Sequence, residues 1–314
     1  MGTVALFAPA QAARTERNPV DIYLAGLSAT GRRTMAQKLE VVAGLLGYAD
    51  ARAVVWDRLR FDHVVAVRSG LSDFGLAPAT VNATLAAIRG VAKAAWSLGI
   101  FSGEDYNRIA TVKGLRSSRL PSGRALTIGE VTALFDACYE DKTAAGRRDA
   151  AILALLLGAG LRRAECAALS LSDYNAESRD ITVQGKGDKQ RLMPLGDTAN
   201  HALQDWLQVR GDWSGSLLCP VGKNGAIEQK GIGAPAIYAA LIKRGKAARV
   251  ARFSPHDLRR TYTSGLIDSS GDISIVSKLL GHASIDTTAI YDRRGEAAKR
   301  KVVEGCHLPY RRPL

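Results

Sequence analysis

The chain has 314 residues, of which 43 are lysine or arginine and 30 are aspartate or glutamate, giving a formal net charge of +13. This length allows two domains with separate cores. The charge favours a polyanion such as nucleic acid as partner, with a merely soluble basic protein as the alternative. No apolar run reaches the length of a membrane span, which argues against a membrane protein. Four scattered cysteines, with no Cys-x-x-Cys pair, argue against a disulfide framework or zinc site and for a reducing cytoplasm.

The first part of the chain is predicted to be helical. After a disordered tail over residues 1–18, helices are expected over Pro19–Gly26, Arg32–Leu46, Val54–Ser69 and Pro78–Gly99. Prolines in first turns, apolar residues three and four apart and terminal glycines support these assignments. They predict an all-α bundle over residues 19–110 with arginines on its outer faces. This pattern is also typical of helical domains of other functions.

A basic segment follows over residues 111–124. It contains glycine, serine, proline and basic residues but no acidic residue, as is typical of a linker. Lys113, Arg116 and Arg119 are its candidate DNA contacts, because phosphate neutralisation would order such a linker on DNA. A plain solvated linker is the alternative.

The second part begins with a predicted capping box, in which Thr127 precedes Glu130 by three residues. The apolar stretch RRDAAILALLLGAG predicts a core helix that leads into GLRRAE, where Arg162 precedes Glu165. Glu165 is either a carboxylate that orients Arg162 or one member of an ordinary helix pair.

A β-hairpin is predicted over Arg179–Leu195, because its residues alternate and its turn contains glycines. Lys186 and Lys189 both fall in or near this turn.

The sequence ALIKRGKAARVAR, from Ala240, contains five basic residues and no acidic residue. On a helix these residues would form one cationic face, which favours groove or phosphate contact over an idle solvated surface. The candidate DNA contacts are Lys243, Arg244, Lys246 and Arg249.

The residues with the richest chemistry lie between positions 254 and 294. Pro255 suits a first helical turn and puts His256 and Arg259 on one face. Asp272 is a predicted N-cap for ISIVSKLL, and Gly281 is the predicted stop, so that His282 follows a helix end. Ser284 is a predicted cap for a further short helix that carries Tyr291.

This set of side chains suits phosphoryl transfer. Arginine binds phosphate through two parallel charged hydrogen bonds, and histidine donates a hydrogen bond or moves a proton near neutral pH. A tyrosine hydroxyl can attack phosphorus and form a covalent intermediate. Each residue alone is more often a surface pair or a packing residue, so the order and density of the set carry the prediction.

HDLRRT, LLGH and a tyrosine nine residues beyond that histidine closely resemble the C-terminal signature of the tyrosine recombinases, the family of phage integrases and Xer-type recombinases. That family also has an arginine in a Gly-Leu-Arg turn with a glutamate three residues on, and a lysine in a hairpin that reads like GKGxK. Arg162, Glu165 and Lys186 fill these positions. The resemblance covers residues from about Leu126 to about Arg300.

The resemblance implies a mainly α fold with a small β-sheet. A helical, SAM-like core-binding domain would cover residues 19–110, an α+β catalytic domain residues 125–305 and a tail residues 306–314. Because few residues precede the first predicted helix, the arm-binding domain of some phage integrases is not expected.

The resemblance also implies a site-specific DNA recombinase. Tyr291 would attack a phosphodiester to give a 3′-phosphotyrosyl bond, and exchange would pass through a Holliday junction. Arg162 and Arg259 would hold the non-bridging oxygens, and Lys186 would protonate the leaving 5′-oxygen. The whole implied catalytic set is Arg162, Lys186, His256, Arg259, His282 and Tyr291, with Glu165 in support.

The implied partner is a double-stranded DNA recombination site, bound by a chain that is monomeric in solution and assembles as a tetramer on two duplexes. No metal, ATP or other cofactor is expected, and the expected location is the nucleoid in the cytoplasm, for a protein encoded by a prokaryote, phage or mobile element. Two alternatives are a type IB topoisomerase, which shares the cleavage chemistry, and a catalytically silent DNA-binding protein on the same fold.

Overall fold

The computed structural model describes residues 18–116, 123–185, 190–270, 272–281 and 285. The chain divides into two compact units, Met1–Leu120 and Pro121–Leu314. Each unit has its own hydrophobic core. Among the described residues, no helix is both long and apolar enough to cross a membrane.

The described part of the first unit is helical. Its elements are α1 (Pro19–Ala25), α2 (Ala29–Leu45), a 3₁₀ turn (Trp56–Arg58), α3 (Phe61–Asp73), α4 (Pro78–Ser97) and α5 (Gly103–Ala110). Side-chain caps set several of their starts: Asn18 accepts from the Val20 amide, and Ser28 accepts from the Gly31 amide. The Ser28 cap explains why α2 begins three residues before the predicted Arg32. Helix α5 was not predicted.

The single helix predicted over Val54–Ser69 is wrong. Trp56 is buried and its indole N–H donates to the Ala51 carbonyl at 2.9 Å, which holds a separate 3₁₀ turn. The chain is then extended at Arg60, where the His63 ring accepts from the backbone N–H at 3.1 Å and starts α3. Both segments bury apolar residues in the same core, so their apolar spacing continues across the break.

The described part of the second unit combines helices with one small sheet. Its helices are α6 (Ile128–Tyr139), α7 (Ala144–Gly158), α8 (Arg163–Ala168), α9 (Asp197–Arg210), α10 (Ala234–Ala247), α11 (Pro255–Ser270) and α12 (Ile273–Leu280), with a 3₁₀ turn over Leu171–Asp173. Strands β1 (Tyr174–Asn175), β2 (Asp180–Gln184) and β3 (Gln190–Pro194) form an antiparallel sheet in that order. The fold is thus mainly α with a small sheet, as predicted.

Helix α7 is the centre of this unit. Its residues Ile152, Leu153, Leu155 and Leu156 are fully buried, and α6, α9 and α11 pack around it. Such an all-round apolar helix needs neighbours on every side. It therefore gives the turn that follows it a fixed position.

Three predicted helix boundaries are confirmed by their caps. Thr127 and Glu130 form a reciprocal capping box at α6. Asp272 accepts from the Ser274 and Ile275 amides at the start of α12. Gly281 ends that helix in the left-handed conformation, with φ of 63°.

Candidate active site

The turn after α7 presents Arg162. Gly160 has φ of +57°, and a Cβ at this position would lie 2.3 Å from the Tyr262 ring of α11, so the turn needs glycine for both conformation and space. Leu161 is fully buried, whereas the Arg162 side chain is half exposed. Close packing against α11 therefore points the Arg162 guanidinium out of the core.

Arg259 lies three residues after His256 on α11 and is buried, with 2% exposure. Its guanidinium donates to the Gly160 carbonyl and, at 3.0 Å, to the Leu280 carbonyl. One side chain thus joins the turn before Arg162 to the end of α12. Carbonyl oxygens satisfy guanidinium N–H groups without adding a negative charge, so these two contacts leave the cation intact.

His256 occupies the exposed first turn of α11. Partial desolvation of the ring lowers the pKa of His256, and the neighbouring guanidinium groups of Arg260, Arg259 and Arg162 lower it further. The imidazole is therefore neutral at neutral pH. In that form one nitrogen donates a hydrogen bond and the other accepts one.

Asp257 fixes the start of α11. Its carboxylate accepts from the Ser254 amide and hydroxyl, both at 2.8 Å, and from the Arg124 amide at 2.9 Å. Gly123, with φ of +100°, leaves the room for this approach. The end of the predicted linker is thus bound to the helix that carries His256.

Arg162, His256 and Arg259 line one cavity of about 480 Å³. Tyr238 of α10 also lines it, and the Arg163 guanidinium lies 5.7 Å from the centre of the Tyr238 ring. Three predicted site residues that are up to 97 positions apart in sequence therefore meet in one space. Two guanidinium groups and an imidazole in a cavity can bind a phosphate and stabilise added negative charge.

Glu165 binds Arg162, as expected if its carboxylate orients that arginine. The Arg162 amide donates to this carboxylate at 2.8 Å and the Arg162 guanidinium at 2.7 Å. Arg191 of β3 donates a second pair of bonds, at 3.1 and 2.8 Å. Burial acts to raise the pKa of Glu165, but the hydrogen bonds from Arg191 and Arg162 outweigh it and hold the pKa at about 2.

Arg191 was missed by sequence analysis, although its register carried a signal. Arg191 pairs with Val183 across the hairpin. Two residues further along each strand, and so on the same face of the sheet, Ile181 pairs with Met193. Val183, Ile181 and Met193 are all buried. A charged residue on the core-facing side of a strand needs a buried partner.

The remaining predicted catalytic residues, Lys186, His282 and Tyr291, lie outside the described residues, as do Lys189 and the predicted capping residue Ser284. Their roles stay predictions.

One predicted DNA contact is wrong. Arg244 is 3% exposed and its guanidinium donates to Asp149 at 2.8 Å, to Asp141 at 2.6 Å and to the Ala137 carbonyl at 3.0 Å. A buried cation held by two carboxylates does not reach a DNA phosphate. The side chain of Arg244 joins α10 to α6 and α7 instead.

The other basic candidates near α10, Lys243, Lys246 and Arg249, are exposed. Lys243 lies 3.6 Å from Asp141 while 63% of its side chain remains exposed.

In the first unit Lys113 and Arg116 are exposed, and the adjoining Leu115 exchanges two hydrogen bonds with Asn82. Arg119 lies outside the described residues.

The chain is similar to known proteins over most of its length. The model of the phage integrase family matches residues 124–297. Tyrosine recombinase XerC of Shewanella amazonensis is 33% identical over 255 residues, which are 80% of this chain and 82% of that protein.

Two solved structures share the fold. The XerH site-specific recombinase bound to its palindromic difH substrate has a TM-score of 0.66 at 20% identity, covering 88% of this chain and 79% of that one. A lambda integrase tetramer bound to a Holliday junction has a TM-score of 0.64 at 16% identity, covering 88% of this chain and 77% of that one. From the family match and the XerC similarity together, the chain belongs to the phage integrase family and is a tyrosine recombinase, an enzyme of site-specific DNA recombination.

Proposed function

We propose that this recombinase binds the scissile phosphate of a double-stranded DNA site in the cavity lined by Arg162, His256 and Arg259. The observation that carries the proposal is the meeting of these three side chains in one cavity. The Arg259 guanidinium is already oriented by two backbone carbonyls. An oriented donor stabilises transition-state charge without first having to reorganise.

In the proposed reaction the Tyr291 hydroxyl attacks phosphorus, and its oxygen forms a bond to phosphorus as the bond to the 5′-oxygen breaks. Arg162 and Arg259 bind the non-bridging oxygens, and Lys186 donates a proton to the leaving 5′-oxygen. His256 and His282 hydrogen-bond to the phosphate or accept the tyrosine proton. A 5′-hydroxyl from the partner strand then attacks the phosphotyrosine, so the bond energy is conserved and ATP is not consumed.

Covalent capture tests this function. The protein is incubated, with EDTA and without ATP, with a random-sequence library of nicked duplexes, and protein–DNA adducts are isolated under denaturing conditions and sequenced. We expect adducts enriched in one sequence. Binding without any adduct would support a silent DNA-binding protein, and relaxation of plasmids that lack the selected sequence would support a topoisomerase.

We also propose that the free chain is monomeric and forms a tetramer only on two duplexes, as strand exchange between two sites requires four tyrosines. A tetramer on a Holliday junction is known for lambda integrase. The sequence lacks the long apolar heptad run of a stable coiled-coil oligomer. Light scattering should give a monomer mass without DNA, and a stable tetramer without DNA would contradict this.

The proposed place of action is the nucleoid of a prokaryotic cytoplasm, for a chain encoded by a chromosome, a phage or a mobile element. A bacterial relative motivates this proposal. Absence of the protein from nucleoid fractions of its host would contradict it.

The exposed basic residues are proposed to bind DNA backbone. With about six to ten phosphate contacts, affinity should fall roughly a thousandfold or more between low and physiological salt. Replacing Lys243, Lys246 and Arg249 together by alanine should flatten the plot of log affinity against log salt by about one unit per lost contact, while preference among sequences is kept. Filter binding over a salt series measures this.

A charge-matched variant serves as the control. Lys142 lies over the Tyr139 ring, Arg179 pairs with Asp197 and Lys230 pairs with Glu228. Lys243 has only a longer contact, of 3.6 Å with Asp141, whereas Arg179 and Lys230 form shorter ion pairs and Lys142 lies over a ring. Replacing Lys142, Arg179 and Lys230 should therefore leave the slope close to that of the parent chain. Equal slopes for both triple variants would show that the residues near α10 do not contact phosphates.

A further inference from the structure

Arg191 is a largely buried cation on the hairpin strand β3. Its side chain is 13% exposed and its two terminal nitrogens bind the two oxygens of Glu165. Such a fork fixes direction as well as distance, which a single ammonium group does not. The Arg191 Nε is buried and has no hydrogen-bond partner among the described residues. The side chain is thus held by Glu165 and by packing.

This one side chain lies close to three segments that carry predicted catalytic residues. Through Glu165 it reaches Arg162, which donates to the same carboxylate. Its Cδ lies 3.1 Å from where a Cβ would stand at Gly281, the residue before His282. Its own strand begins at Gln190, directly after the segment that holds Lys186.

We propose that Arg191 is a positioning residue for strand cleavage: through Glu165 it fixes the direction of Arg162, and it holds the hairpin and the end of α12 at one mutual distance. The proposal rests on the proposed function, because Arg162 matters only if it binds the scissile phosphate. Arg191 is not among the described residues that line the cavity of Arg162, His256 and Arg259. Its effect is on geometry, where a displacement of about 1 Å reduces a rate by about a hundredfold.

The proposal differs from a role in stability alone. If Arg191 only stabilises the fold, its loss should lower the fraction of folded protein, and DNA binding and cleavage should fall together. If it positions Arg162, the folded variant should bind DNA through its other contacts and cleave poorly. The ratio of cleavage rate to binding affinity therefore separates the two roles.

The acid side of the pH profile gives a second readout. In the parent chain the Glu165 pKa is about 2, so the carboxylate stays charged at all pH values above that range. In Arg191→Gln, burial of Glu165 would be opposed by Arg162 alone, and the pKa should rise. Protonation would then release Arg162, so the acid limb of cleavage should move to higher pH. His256 also titrates, but it is common to parent and variant.

The experiment uses a nicked duplex of the sequence captured by the parent chain and compares four proteins in single-turnover cleavage and gel retardation. Arg191→Gln should cleave about a hundredfold more slowly, with affinity within about threefold, and show the raised acid limb. Arg191→Lys keeps the charge but not the fork, so it should cleave slowly with the acid limb unmoved. Arg179→Gln, on the same hairpin, should match the parent because its partner Asp197 is outside the cavity.

The outcomes are distinct. Parent-like cleavage by Arg191→Lys, which is the variant best suited to fold, would overturn the proposal. So would a loss of cleavage in Arg191→Gln that its loss of binding fully accounts for. A parent chain that captures no DNA would instead refute the proposed function, on which the role of Arg191 depends.

Discussion

Tyr291→Phe is expected to bind the captured DNA as tightly as the parent chain and to form no covalent adduct. The substitution removes one oxygen atom, the proposed nucleophile, and leaves the ring and every basic residue in place. Binding depends on phosphate and base contacts, which this change does not touch. Gel retardation measures the first expectation, and a denaturing gel of the nicked duplex measures the second.

Tyr238→Phe is the matched control. Tyr238 is the tyrosine that lines the cavity with Arg162 and His256, so it is the rival nucleophile within the described part of the chain. We expect this variant to form adduct at close to the parent rate. An adduct on Tyr291→Phe together with none on Tyr238→Phe would transfer the nucleophile to α10 and refute the assignment.

Local signals allowed much of the fold to be predicted. The ends of α12 follow from Asp272 and Gly281, and the start of α6 from Thr127 and Glu130, because caps involve neighbouring residues. The same reasoning failed over Val54–Ser69. There, apolar spacing continues across a change of chain direction, and only the burial of Trp56 in the tertiary core reveals the break.

Long-range pairing limited prediction of the site. Arg244 lies in a run of basic residues and has the spacing of a cationic helix face, yet it binds Asp149 and Asp141, which are 95 and 103 residues earlier. Arg191 similarly binds Glu165 from 26 residues away. A residue's type and its neighbours in sequence predict the chemistry it can perform. Its partners decide whether that chemistry is used on DNA or within the protein.

Replacing the lysine that acts as general acid is the second change from which we expect a large effect on cleavage. Lys186 and Lys189 are both predicted to lie in or near one hairpin turn, and only the family pattern selects Lys186. A 5′-alkoxide is a poor leaving group and needs a proton in the transition state, so loss of the acid should reduce cleavage by roughly a hundred- to ten-thousandfold. Lys186→Ala should therefore cleave ordinary DNA poorly. Lys189→Ala should cleave it nearly as well as the parent, apart from any loss of binding.

A 5′-bridging sulfur in place of oxygen separates proton donation from other roles. A thiolate leaves without a proton, so the acid becomes dispensable and Lys186→Ala should recover most of its cleavage rate. Arg162→Ala and Arg259→Ala should not recover, because the non-bridging oxygens still gain charge and still need the guanidinium groups. Single-turnover cleavage of matched oxygen and sulfur duplexes measures this difference. Rescue of Lys189→Ala without rescue of Lys186→Ala would exchange the two roles, whereas rescue of neither would move the proton donor to a histidine. His256 would then be the first candidate, because it lines the same cavity as both arginines.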